Sequence, residues 1–184
     1  MEEKVRCFIA IDIPKEISAE ISKVQKKIKE KKVFTGKFIE PENIHLTLKF
    51  LGEINKEKRE EVKARLQKVR FNKFIMTHNK VGVFSKKFIR IIWVKAAGKK
   101  VYDLQKKIDD ALEDIFPREQ RFMGHITIAR VKKVTEKKEL LALVKKIKME
   151  KKECTVQRFA FKSSELTATK AIYKNIAVYL CKGP

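Results

Sequence analysis

His45-Leu46-Thr47-Leu48-Lys49-Phe50-Leu51-Gly52 and His125-Ile126-Thr127-Ile128-Ala129-Arg130 decide the reading of this chain. Both open on one frame: His, aliphatic, Thr, aliphatic. In a β-strand successive side chains alternate between two faces. Each His therefore shares a face with its Thr, and the aliphatics take the other. The two frames stand a little under half a chain length apart. Two imidazoles flanked by hydroxyls are the equipment for moving a proton on at one end of a bond and off at the other.

The surroundings of the two frames run in the same order. Alternation over 5–13 predicts a strand ended by Pro14, and helical spacing of Ile17, Ile21, Val24 and Ile28 predicts a helix over 15–32. Pro41-Glu42-Asn43 is a turn signal before a strand over 44–51. A helix over 56–69 comes next, then strands over 74–84 and 88–94. Beyond Gly98 the spacing predicts a helix over 100–115, a strand over 122–131 and a helix over 136–148. Strands over 153–161, 163–168 and 172–181 end the chain. Each motif strand thus lies between two helices. This order predicts an internal duplication, two lobes facing a cleft, with the halves meeting near residues 95–99 of a single domain spanning 1–184.

Composition bounds the function. The chain has 184 residues, 43% of them hydrophobic, enough to build a core. No apolar run approaches the ~20 residues of a membrane helix, and the N-terminal stretch does not read as a signal or transit peptide. A cytoplasmic monomer is expected. Cys7, Cys154 and Cys181 have no metal-ligand spacing and read as free thiols. The net charge of +22 exceeds what Lys-rich solvated helix faces of thermophile type explain, so a nucleic acid is the expected partner, with no membrane role.

Cleaving a phosphodiester by in-line attack needs a base beside the nucleophile and an acid beside the leaving oxygen. His45 and His125 can supply both, and Thr47 and Thr127 can donate to the non-bridging oxygens. A metal site is the other use of two histidines, but no Cys or carboxylate stands in either frame, and Asp12 could join only through the fold. No metal or other cofactor is expected. By strand parity Lys49 shares the face of His45 and Thr47 and can hold an RNA phosphate. Phe8 points away from Cys7, Ile9 and Ile11, either to stack on a base or to form a second core layer. Arg130 has the wrong parity and reaches the phosphate only if the strand ends or bulges. His78, outside any such frame, reads as structural.

At these residues the chain resembles the 2H phosphoesterase superfamily and, within it, the RNA 2′,3′-cyclic phosphodiesterases, also called 2′–5′ RNA ligases. Phe8-Ile9-Ala10-Ile11-Asp12-Ile13-Pro14 is similar to the family's opening strand. His45 through Glu53 and His125 through Arg130 are similar to its two motifs, and Ser164-Glu165-Leu166 through Tyr173 to its closing region. The resemblance implies a pseudo-symmetric bilobal α+β fold: two antiparallel β-sheets facing a central cleft, with helices packed outside. It implies metal-free opening of RNA 2′,3′-cyclic phosphate ends, on tRNA fragments or oligonucleotides, to 2′-phosphates. In that reaction His45 would protonate the leaving 3′ oxygen and His125 would activate water. Thr47 and Thr127 would hold the phosphate, with Arg130 assisting. The alternatives are 2′–5′ ligation of tRNA halves by the same residues and RNA binding without catalysis. The chain departs from the family at Met123-Gly124, an expected loosening of the second strand's entry, and at Lys170-Ala171-Ile172.

Overall fold

The helices form where apolar residues repeat at helical spacing and bury one face. In a computed structural model describing residues 3–167 and 171–182, Ile17, Ile21, Val24 and Ile28 line the buried face of α1 (Lys15–Glu30). Val101, Leu104, Ile108 and Leu112 do the same in α3 (Lys99–Leu112). Asn55 caps α2 (Lys56–Leu66), its side-chain oxygen accepting the Lys58 N–H at 2.9 Å. The fourth helix, α4 (Lys137–Lys146), is anchored by Leu140 and Val144. Lys170 lies outside the described residues.

The strands are β1 (Val5–Asp12), β2 (Phe34–Phe38), β3 (His45–Ile54), β4 (Phe74–Val83), β5 (Ile91–Ala97), β6 (His125–Val134), β7 (Lys148–Val156), β8 (Arg158–Leu166) and β9 (Ala171–Leu180). The pairings among them are antiparallel, in the order β7-β4-β5-β6-β3-β1-β8-β9, with β2 also paired to β6. The architecture is α+β. The two antiparallel halves are continuous: β3 meets β6 at a single pair, Leu46 opposite Ile126, making one nine-stranded sheet. That narrow junction sets the two motif strands side by side at the centre.

The strand order is symmetric outward from the β3–β6 junction, and the spatial halves are not the sequence halves. One holds β3, β1, β8 and β9; the other holds β6, β5, β4 and β7. Residues 95–99 therefore do not divide the lobes, since β4 crosses into the second half of the sheet and β8 returns to the first. Several strand boundaries also differ from the sequence expectation. Lys162 is not a break but lies mid-strand in β8, because its ammonium is paired with the Asp12 carboxylate at 2.8 Å. The break falls at Gln157. The short strand β2, mostly exposed, carries too few apolar residues for alternation to reveal it.

Candidate active site

Residues 43–50 and 123–130 show one burial pattern, position for position. Leu46, Leu48, Ile126 and Ile128 face the core beneath the helices, and His45, Thr47, His125 and Thr127 sit half-buried on the other face. Both strands then break register three residues after the histidine. The β1–β3 pairing slips past Leu48, and the β5–β6 pairing slips past Ile128. Such a bulge inserts one residue and reverses the parity of the residues beyond it.

The reversal decides three residues. Arg130 comes back to the cleft face, where it lines the same cavity as His45, Thr47, His125 and Thr127. Phe50, its positional twin in β3, does likewise and is 67% exposed. Lys49 is turned the other way, against its sequence expectation. Its ammonium is buried in an ion pair with Asp109 of α3 and donates to the Pro117 carbonyl at 2.7 Å. Phe8 lines the same cavity, and at 3% exposure it does so as a second layer, its ring 5.0 Å from that of His45.

The two imidazoles are held alike. His45 Nδ1 lies 2.7 Å from the Asn43 carbonyl and His125 Nδ1 lies 2.7 Å from the Met123 carbonyl. A carbonyl only accepts, so each Nδ1 carries the hydrogen and each neutral ring keeps a bare Nε2. His45 Nε2 takes the Thr47 hydroxyl at 3.0 Å. Aromatic edges fix the ring planes: Tyr173 stands at 89° to His45, and Phe84 stands at 86° to His125. Asn43 is itself tied to β9 through the Ala171 carbonyl at 2.9 Å. The second motif's entry is not loose. The Gly124 carbonyl accepts the Ala96 N–H at 3.0 Å, and a Cβ at 124 would collide with the Ala96 carbonyl.

Burial pulls His45 well below the usual imidazole range, to about 4. The Lys162 ammonium and the Arg130 guanidinium push the same way, while the Asn43 hydrogen bond and the Asp12 carboxylate oppose. Burial also lowers His125, against its bond to Met123. The cleft between the histidines encloses about 370 Å³. Arg6, Phe50 and Tyr173 also line it, and sequence reasoning singles out none of the three. The signal for Phe50 is its place five residues after the histidine, the place Arg130 holds in the other motif. Among the described residues, no three His, Cys, Asp or Glu side chains gather as a metal site would require. His78 is fully buried away from the cleft. No described helix is long and apolar enough to cross a membrane.

The sequence model of the family described as LigT-like phosphoesterase matches twice, over residues 11–93 and 92–173. An RNA 2′,3′-cyclic phosphodiesterase of Methanocaldococcus jannaschii is 34% identical, over 94% of this chain and 98% of its own. One from Thermotoga maritima is 35% identical, over 97% of this chain and 95% of its own. The fold superposes on Escherichia coli LigT complexed with 3′-AMP with a TM-score of 0.77 at 22% identity, covering 98% and 99% of the two chains. A Thermus thermophilus protein superposes at 0.80 with 23% identity, covering 97% and 98%. Two family matches that together span most of the chain, each centred on one of the two histidine strands, place this protein in the LigT-like phosphoesterase family.

Proposed function

We propose that the protein opens RNA 2′,3′-cyclic phosphate ends to 2′-phosphomonoesters by acid/base catalysis from its two histidines, without a metal. The observation that carries this reading is the mirrored tether. Each Nδ1–H is committed to a carbonyl two residues upstream, so each Nε2 is offered to one shared cleft. His125, neutral with a bare Nε2, takes the proton of the attacking water. His45 gives a proton to the departing 3′ oxygen. His45 therefore needs to be charged in the complex. The anionic phosphate beside it favours the imidazolium and offsets the cost of burial. Thr47 and Thr127 donate to the non-bridging oxygens as charge gathers on them, and Arg130 neutralises the phosphate.

The names of the relatives support the cyclic phosphate substrate, and the net charge of +22 supports RNA. The test is hydrolysis of a short RNA ending in a 2′,3′-cyclic phosphate, with EDTA present. Wild type is expected to release the 2′-phosphate. His45→Ala and His125→Ala should each be slower by on the order of 10²–10⁴-fold while still binding the RNA. Full activity in either variant, or loss of activity in EDTA, overturns the reading. RNA binding with no hydrolysis by wild type would leave a binding protein.

A further inference from the structure

The catalytic cleft has two ends. Leu46 stands opposite Ile126 in an antiparallel pair, so His45 lies beside Thr127 and His125 lies beside Thr47. Past Thr127, at the His45 end, comes Arg130, and beyond it the surface is cationic. Arg130 and Lys132 flank the buried Val131, and both are exposed. Arg90, just before β5, donates to the Lys132 carbonyl at 3.1 Å. The loop from β4 to β5 carries the row on through Lys86, Lys87 and Phe88. The shape of this loop is fixed. The Ser85 hydroxyl accepts the Lys87 and Phe88 N–H groups at 3.2 and 3.1 Å, Ile89 is buried, and the Lys137 ammonium donates to the Lys87 carbonyl at 3.4 Å. Phe88 is thereby held 69% exposed, with the Lys87 ammonium 5.7 Å from its ring centre. On α2 the cations are paired with carboxylates, Lys63 with Glu60 and Arg65 with Glu61. Among the described residues none of Lys86, Lys87, Arg90, Arg130 and Lys132 is in an ion pair.

The 3′ oxygen that His45 protonates stays on the terminal ribose. That ribose, and the RNA upstream of it, therefore leave the cleft at the His45 end, toward Arg130. A row of unpaired cations ending at an exposed ring suits a single strand: the cations follow its phosphates, and the ring stacks a base of any sequence. The groove on the far side of Arg6 does not suit it, because Glu3, Glu53 and Glu165 line that groove and repel phosphate. We infer that the strip from Arg130 to Phe88 is the track for the RNA upstream of the cyclic phosphate, and that the preferred substrate ends in an unpaired tail. The inference rests on the phosphodiesterase reading above and adds selection by length and strandedness. An unpaired tail can turn a base onto Phe88, whereas in a duplex the base faces are already stacked on one another.

The experiment compares hydrolysis of a nucleoside 2′,3′-cyclic monophosphate with that of a short oligoribonucleotide ending in the same group. Wild type is expected to show a KM lower by about tenfold or more for the oligonucleotide. Phe88→Ala, and Lys86→Ala combined with Lys87→Ala, should each raise the oligonucleotide KM by about tenfold, with kcat and the monophosphate kinetics within about twofold of wild type. That preserved monophosphate turnover also reports a folded enzyme. Annealing a complementary strand up to the terminal nucleotide should raise the wild-type KM by a similar factor and leave that of Phe88→Ala little changed. Equal KM for the two substrates in wild type overturns the track and leaves the phosphodiesterase reading standing. So does an oligonucleotide KM that the variants leave unchanged, or a fall in turnover of both substrates together. A KM indifferent to annealing overturns the unpaired tail. Hydrolysis of neither substrate by wild type overturns both readings.

Discussion

At the scale of single residues, the site is built on two tethered imidazoles that burial keeps neutral. Both histidines lie below the ordinary value of 6.5, His45 at about 4. In the proposed mechanism the productive free enzyme has His45 charged and His125 neutral. Below both pKa values the two are charged, and above both the two are neutral. The singly protonated pair is therefore most populated on the acid side of 6.5. We predict a bell-shaped pH profile of kcat/KM with its maximum below pH 6.5. The profile of kcat should lie at higher pH, because the bound phosphate favours the imidazolium. A kcat/KM maximum at or above pH 7 would contradict the burial account. The histidines and threonines are legible in the sequence because alternation is a property of the local backbone. Their tautomers are not, because each depends on where a carbonyl two residues upstream is held.

At the scale of elements, the paired bulges at Leu48 and Ile128 govern the site. They send Lys49 into the core, where it fastens β3 to α3 through Asp109, and Gln105 also donates to that carboxylate at 2.7 Å. Both partners of the ion pair are almost completely buried, at 4% and 5%. Removing one strands the other, so Lys49→Met should cost about 3–5 kcal/mol in urea unfolding. Lys49→Met with Asp109→Leu should recover most of that. A loss of under ~1 kcal/mol for the single variant would place the pair in contact with water. Gly36 controls Arg130 from the neighbouring strand. It pairs with Val131 in β6, and a Cβ there would collide with the Arg130 carbonyl. Gly36→Ala should cost about 1–3 kcal/mol by overpacking and lower kcat/KM by displacing the guanidinium. Thermal unfolding read beside kinetics would check both. No periodicity announces a bulge, because it is a mismatch between two paired strands. That is why Arg130 has the wrong parity in the sequence and the right placement in the fold.

At the scale of the whole molecule, the charge of +22 should govern the encounter with RNA. For an oligonucleotide ending in a cyclic phosphate, kcat/KM should fall linearly with salt on logarithmic axes, and more steeply for longer substrates. A nucleoside 2′,3′-cyclic monophosphate should show a much flatter dependence. Equal slopes for the two would confine recognition to the terminal nucleotide. The sheet order shows why one cleft serves both motifs. The chain sends β4 and β5 to the half that holds β6 and brings β8 and β9 back to the half that holds β3, and the Leu46–Ile126 pair brings the two motif strands edge to edge.

The sequence by itself determined the four helices, the two motif strands, the face each His shares with its Thr, and the polyanion-seeking charge. These arise from short-range periodicity and composition, which one chain carries without its neighbours. The tertiary structure decided the sheet order, the strand β2, the break at Gln157, and which of Lys49, Phe8, Phe50 and Arg130 meets the cleft. Each depends on a pairing between segments far apart in the chain: Lys162 with Asp12, Lys49 with Asp109, β2 with β6. Such pairings exist only once strand register is fixed, and register is a property of two strands together.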